Sequence, residues 1–343
     1  MEIGVCGYGY TGSSALVSLI REYSNVIYLD GGPDFEFTLS YASDGLEDLE
    51  FNLVENPSKG TRCDIAIYRF MLLIDELERS YNRFTDNTFR SLAEDYLSDL
   101  IQVKWKAIRV FEYSRNPSKR IEKLIRTKLY ATLKKRGYDI RCFPLKDRYL
   151  SIYPDDFLQK TQNFIKRILE FDSKYDAILL EQPFSCGDPL RSMRFYNDPI
   201  CFLVDRDPRD LYVLCKRIFG TSALFIPTDK VEHFIEYYKR VRDDRKWKGS
   251  NKVVRIQFED LIYNYEDSIK HIEKILEGIG NHTEKQRYFK PEFSKANTNI
   301  FSKFKEDYSD ILIIEKELSD WLYKFPSDTE VEKEVDLNSY TFL

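Results

Sequence analysis

A parallel α/β sheet with helices on both faces is the fold class this sequence predicts, on three observations. The chain opens as strand, glycine-rich turn, helix and strand within its first thirty residues, and the hydrophobic period changes from 2 to 3.6 along the way. Later apolar runs at 177–181 and 200–205 are short and apolar on both faces, as buried parallel strands are. Patterns of helical period fill the gaps between strands. Such a chain folds as a three-layer sheet that places ligands beyond the carboxyl ends of its strands.

Taken in order, residues 3–7 read as the first strand, 12–23 as a helix and 26–29 as a second strand. From 63 to 171 the pattern turns helical. Ile65, Arg69, Leu72, Leu73 and Leu77 fall near one face of a first helix, and Ile121, Leu124, Ile125, Leu129 and Leu133 stripe a basic one. Phe157, Phe164, Ile165, Ile168 and Phe171 mark a third, which starts after Pro154-Asp155-Asp156. Strands return at 177–181, 200–205 and 252–258, separated by helices carrying Val231, Phe234, Ile235, Tyr238 and Val241, then Ile269, Ile272, Leu276 and Ile279. The expected organisation is one α/β domain over 1–325 with a large helical insertion at about 60–172, followed by a polar, acidic tail at 326–343.

With 343 residues, 43% hydrophobic and 32% charged, the chain is neither disordered nor fibrous. A net charge of −5 points to no polyanionic partner, and there is no nucleic-acid-binding module. Without a basic leader or an apolar run of about 18 residues, a soluble cytoplasmic protein is expected. The six cysteines form no CxxC pair and lie mostly in apolar runs, and the three histidines lie near none of them. The cysteines therefore read as reduced packing residues, with no metal site.

The sharpest chemical signal is Gly7-Tyr8-Gly9-Tyr10-Thr11-Gly12-Ser13-Ser14, between the first strand and the first helix. It fits the phosphate-loop spacing G-x-x-x-x-G-K-[ST] except that Ser13 replaces the lysine. Glycines let the backbone curl so that successive N–H groups point inward, and the helix N-terminus adds partial positive charge. This makes the expected sheet one of the P-loop nucleotide-binding type; an ordinary tight turn with a serine helix start is the alternative. A second signal is the strand running into Arg206-Asp207-Pro208-Arg209-Asp210. Asp207 and Pro208 suffice to start a helix. Arg206, at a strand's carboxyl end, can either grip a phosphate or pair with a neighbouring aspartate.

The glycine loop, the Arg206 turn and the strand end Val254-Arg255-Ile256-Gln257-Phe258-Glu259-Asp260-Leu261 together resemble the sulfotransferases that use 3′-phosphoadenosine 5′-phosphosulfate (PAPS). The likeness spans the first 30 residues and roughly 177–280. It implies PAPS as donor with no metal required. Gly9, Tyr10, Thr11, Gly12, Ser13 and Ser14 would hold the 5′-phosphosulfate, and Arg206 with Arg209 would serve the 3′-phosphate. Tyr10 stands where the family places a lysine or arginine, and Leu214 where it places a serine. A Lys or Arg from the insertion is the expected substitute for the loop cation.

Glu181 ends an apolar strand where the family places a histidine or an acid, so Glu181 is the expected base, with Tyr10 beside it as a second catalytic residue. The expected reaction is in-line sulfuryl transfer to a hydroxyl of a carbohydrate or small glycosylated acceptor. Glu181 and Asp205 also stand where an ATP-dependent P-loop kinase or NTPase would hold magnesium, so that alternative stays open, as does a catalytically degenerate nucleotide-binding relative. The acids of Phe258-Glu259-Asp260-Leu261 read as organisers of a strand-to-helix corner.

Residues 104–148 carry 15 Lys/Arg against 4 Asp/Glu. Lys119, Arg120, Lys123, Arg126, Lys134 and Lys135 lie mainly away from the apolar stripe. This segment is a solvated face, a platform for an anionic acceptor, or a peripheral contact with an anionic membrane surface.

Overall fold

A computed structural model describes residues 1–57, 59–109, 113, 117–138, 143–170, 174–220, 223 and 225–326. Phe171, Cys142 and nearly all of the expected acidic tail lie outside them. The strands are β1 (Glu2–Cys6), β2 (Val26–Tyr28), β3 (Val103–Ala107), β4 (Lys146–Leu150), β5 (Ala177–Glu181), β6 (Pro199–Asp205) and β7 (Val253–Gln257). The chain divides into two compact units, Met1–Tyr41 with Leu169–Leu343, and Ala42–Ile168.

The first unit is α/β, built on a five-stranded sheet in the order β2-β5-β1-β6-β7 with every pairing parallel. Its central strands are buried on both faces because alternate side chains are apolar in both directions. Ile3, Val5, Leu179, Phe202 and Val204 pack with Leu16, Val17, Leu261 and Ile272 from the helices Ser13–Ile20, Phe258–Tyr263 and Tyr265–Ile275. On the opposite face Cys6, Leu180, Cys201 and Leu203 are buried too, and Phe184 lies so close to Gly4 that a Cβ there would meet its ring at 2.3 Å. The five described cysteines are free thiols.

Because all five strands run the same way, Cys6, Glu181 and Asp205 end at one edge of the sheet. In register, Val5 pairs with both Glu181 and Phe202. From β1 the chain crosses toward β2, and from β6 toward β7 on the other side. The connections diverge between β1 and β6, which opens a crevice at that edge. Sequence-derived boundaries for the strands hold to within a residue or two; the first helix ends at Ile20 rather than Tyr23.

The second unit begins at Ala42 rather than near residue 60, because Leu46, Leu49 and Leu53 are already buried in it. Its helices include Lys59–Tyr81, Phe89–Leu100, Pro117–Lys135 and Phe157–Ile168. Tyr96 and Phe164 stack with centroids 4.6 Å apart, and Phe70 meets both rings edge-on. Two expectations are corrected here. The 63–171 stretch is not wholly helical: β3 and β4, on either side of the helix Pro117–Lys135, pair as a two-stranded antiparallel sheet whose Lys, Trp and Arg residues give little apolar signal. In Lys59–Tyr81 the buried row is Cys63, Ile67, Phe70 and Ile74, whereas Leu72 is 47% exposed. Buried Asp64, paired with Arg109 and Arg148, belongs to that inward row and masks its apolar character. Among the described residues no helix is long and apolar enough to cross a membrane.

Candidate functional site

The turn after β1 is shaped by three residues in the left-handed region: Gly9 (φ 94°), Tyr10 (φ 56°) and Gly12 (φ 89°). For Tyr10 this conformation costs about 1–2 kcal/mol, and neighbours hold it there. Its ring lies 4.2 Å from Phe219 and stacks on Phe225 at 5.6 Å, and its carbonyl accepts from Arg206 Nη1 at 3.0 Å. Gly12 is the N-cap of Ser13–Ile20, with no side-chain cap and no acidic residue in the first turn. The helix therefore opens with backbone donors and its positive dipole end offered to an outside anion. Gln182, itself left-handed at φ 52°, ties the turn to β5: its Oε1 accepts from Gly7 N at 3.0 Å and its Nε2 donates to Ser13 Oγ at 3.2 Å.

Gly12 is fixed twice over, by its φ and by the Phe258 ring, which an added Cβ would meet at 2.3 Å. Gly12→Ala is expected to destabilise the protein by about 2–4 kcal/mol, read as a lower denaturant midpoint at unchanged slope. An unaltered midpoint would contradict this account of the turn.

Arg206 is 3% exposed. Its Nη1 reaches Tyr10, its Nη2 donates to the carbonyl of Asn297, and its guanidinium lies 5.1 Å from the Phe258 ring centre. Nε finds no hydrogen-bond partner among the described residues. Buried carboxylates surround it. Burial, then Asp207, pushes Asp210 up to about 7 and Glu259 up to about 8, with Arg206 pulling both the other way. Glu259 accepts from Asp207 N at 2.9 Å and from Gln257 at 2.6 Å, the corner role expected of it.

These elements meet in a cavity of about 1290 Å³, lined entirely by the first unit. Gly9, Tyr10, Gly12, Ser13, Ser14, Arg206 and Glu181 all line it. Glu181 is pushed up to about 7, first by burial and then by nearby Glu36, against a hydrogen bond from Tyr28. Burial also raises the Tyr10 hydroxyl, which makes its phenolate scarcer at neutral pH.

Two expected ligand residues are placed elsewhere. Thr11 is 1% exposed and is not part of the cavity wall; its hydroxyl sits against Gly7, where a Cβ would meet it at 2.3 Å. It props the turn from beneath. Arg209 likewise lies off the wall, pairing with Asp207 at 2.7 Å and Glu315 at 2.9 Å and facing the Phe301 ring at 4.2 Å. Its fork is used up in closing the helix start.

The cavity's further cations, Arg287 and Lys290, come from the loop after residue 280, not from the insertion. That loop is organised by fully buried Glu22, whose carboxylate accepts from Tyr288 N and Phe289 N at 2.9 Å and from Gln286 N at 3.0 Å, and meets His282 Nε2 at 2.6 Å. Sequence reasoning missed this node, and also Gln182 and Glu36. Only Gln182, next to the strand end, carried any local signal.

Asp205 does not fit the magnesium role open to it from sequence. Its carboxylate is 3% exposed and held by Arg242 at 3.0 Å, Arg255 at 2.8 Å and the Tyr8 hydroxyl at 3.1 Å. Compared with family models, with curated proteins and with solved structures, the chain finds no match.

Proposed function

We propose that the first unit is a sheet of the P-loop nucleotide-binding type and that the protein is a sulfotransferase, moving a sulfuryl group from PAPS to a hydroxyl of a neutral carbohydrate or small glycosylated acceptor. The observation that carries this is one cavity lined at once by the uncapped glycine turn, by Arg206 with its orphaned Nε, and by a carboxylate whose affinity for a proton is poised near neutrality. Backbone donors at a helix N-terminus suit a phosphosulfate, and a buried guanidinium suits a second phosphate. Arg287 and Lys290 supply the cation that Ser13 omits from the turn.

In this reading Glu181 takes the acceptor hydroxyl's proton as the oxygen–sulfur bond forms. The bond from sulfur to the donor's phosphate oxygen breaks, and 3′,5′-diphosphoadenosine leaves. The turn's N–H groups and the helix dipole stabilise the charge that collects on that leaving oxygen. Asp34, Glu36 and Glu181 on the wall disfavour an anionic acceptor, while Tyr288 and Phe293 offer aromatic faces to a sugar ring.

The test is a thermal-shift series. At a hundredfold excess over its Kd, 3′,5′-diphosphoadenosine should raise the melting temperature by about 5 °C, with the rise reduced in Arg287→Ala and Lys290→Ala. Both side chains are exposed, so their loss spares the fold. A flat response to the diphosphate, or a larger magnesium-dependent rise with ATP, would overturn the assignment.

A further inference from the structure

The helix Pro117–Lys135 buries none of its residues, although it is amphipathic. Ile121, Leu124, Ile125 and Leu129 are 60%, 63%, 62% and 50% exposed. Three- and four-residue steps place Ile121, Ile125, Leu129 and Leu133 in one row and Leu124, Lys128 and Thr132 in the next. The opposite face carries Lys119, Lys123, Arg126 and Lys134, and Glu122 is the only acidic residue in the helix. In the same unit strand β3 exposes Val103 (48%) and Trp105 (39%) beside the exposed Lys104 and Lys106.

We propose that this helix docks on an anionic phospholipid surface, its aliphatic rows at the level of the acyl chains and its cations among the headgroups. Whatever covers the helix must be apolar along one stripe and negative around it, and the lipid interface is both. Lys128 chooses between a membrane and a protein groove. Standing within the apolar rows, its ammonium would be buried by a groove, whereas at a lipid surface the long stem lies along the chains and the charge snorkels to the phosphates. An exposed tryptophan between lysines is likewise the chemistry of a membrane interface. The proposal stands whether or not the cavity of the first unit takes PAPS.

The experiment is co-sedimentation of the full chain with vesicles of phosphatidylcholine alone or with about one-third phosphatidylserine. Binding should be at least about tenfold stronger on the anionic vesicles and fall away as salt rises toward about 0.5 M. Ile125→Asp, and separately Lys123→Glu with Lys134→Glu, should each lose about tenfold in binding at an unchanged melting temperature, because these side chains are not buried. Equal binding to both vesicles, no binding to either, or full binding by Ile125→Asp would overturn the proposal. So would a wild-type dimer that Ile125→Asp converts to monomer, which would show a second copy covering the stripe.

Discussion

Glu181→Gln is expected to lower kcat for sulfuryl transfer from PAPS by about 10²–10⁴-fold, because the acceptor's proton would lose its carboxylate acceptor. The wild-type kcat/KM for the donor, which reports the ligand-free protein, should climb with pH and level off above an inflection near 7, the value to which burial and Glu36 push this carboxyl. The variant's residual rate should lack that inflection. The same shift predicts a stability signature of definite sign. A carboxyl whose folded pKa is raised binds more protons folded than unfolded, so its contribution weakens as pH rises from the ordinary carboxylate range to about 7. Glutamine has no charge to desolvate. Denaturant titrations should therefore find the variant more stable than wild type by on the order of 2–3 kcal/mol at pH 8, and nearly level with it at pH 5. Wild-type turnover in Glu181→Gln, measured over a panel of neutral sugar acceptors, would remove the residue from the mechanism.

Arg206→Ala should be the most damaging single change at the site, since it acts on ligand and fold together. Asp207 keeps Arg209, but removing the guanidinium leaves Asp210 and Glu259 buried without the positive charge that offsets them, a loss of about 3–5 kcal/mol. The loss should be larger at pH 8 than at pH 6, because Asp210 and Glu259 take up protons over that interval and shed the uncompensated charge. Arg206→Lys separates the two roles. It keeps the charge near the acids but cannot span the carbonyls of Tyr10 and Asn297 together. It should recover most of the stability while binding 3′,5′-diphosphoadenosine at least about tenfold more weakly. Wild-type affinity in Arg206→Lys would reduce Arg206 to a brace between the turn and Asn297.

What could be read from the chain follows from how far apart the interacting residues are. The glycine turn was legible because strand, turn and helix start interact within about ten positions, and left-handed conformations need glycine at Gly9 and Gly12. Glu181 and Arg206 were legible as strand-end residues, because an all-parallel sheet must bring such ends to one edge. Arg209 was misplaced because its sequence neighbours fit two uses equally well, and only the arrival of Glu315 and Phe301 decides between them.

By itself the sequence determined a buried parallel sheet, a glycine-rich turn at its edge, and an amphipathic basic helix. These are set by local period, backbone freedom and side-chain class. Tertiary structure alone decided that Thr11 props the turn from below, that Asp205 is held by two arginines, that Glu22 presents Arg287 and Lys290 to the cavity, and that Ile121, Leu124, Ile125 and Leu129 are exposed on the helix Pro117–Lys135. The reason is that a side chain's partner is fixed by packing across the chain. Glu22 and His282 meet from 260 positions apart, and no periodicity in one segment records what another segment will bring against it.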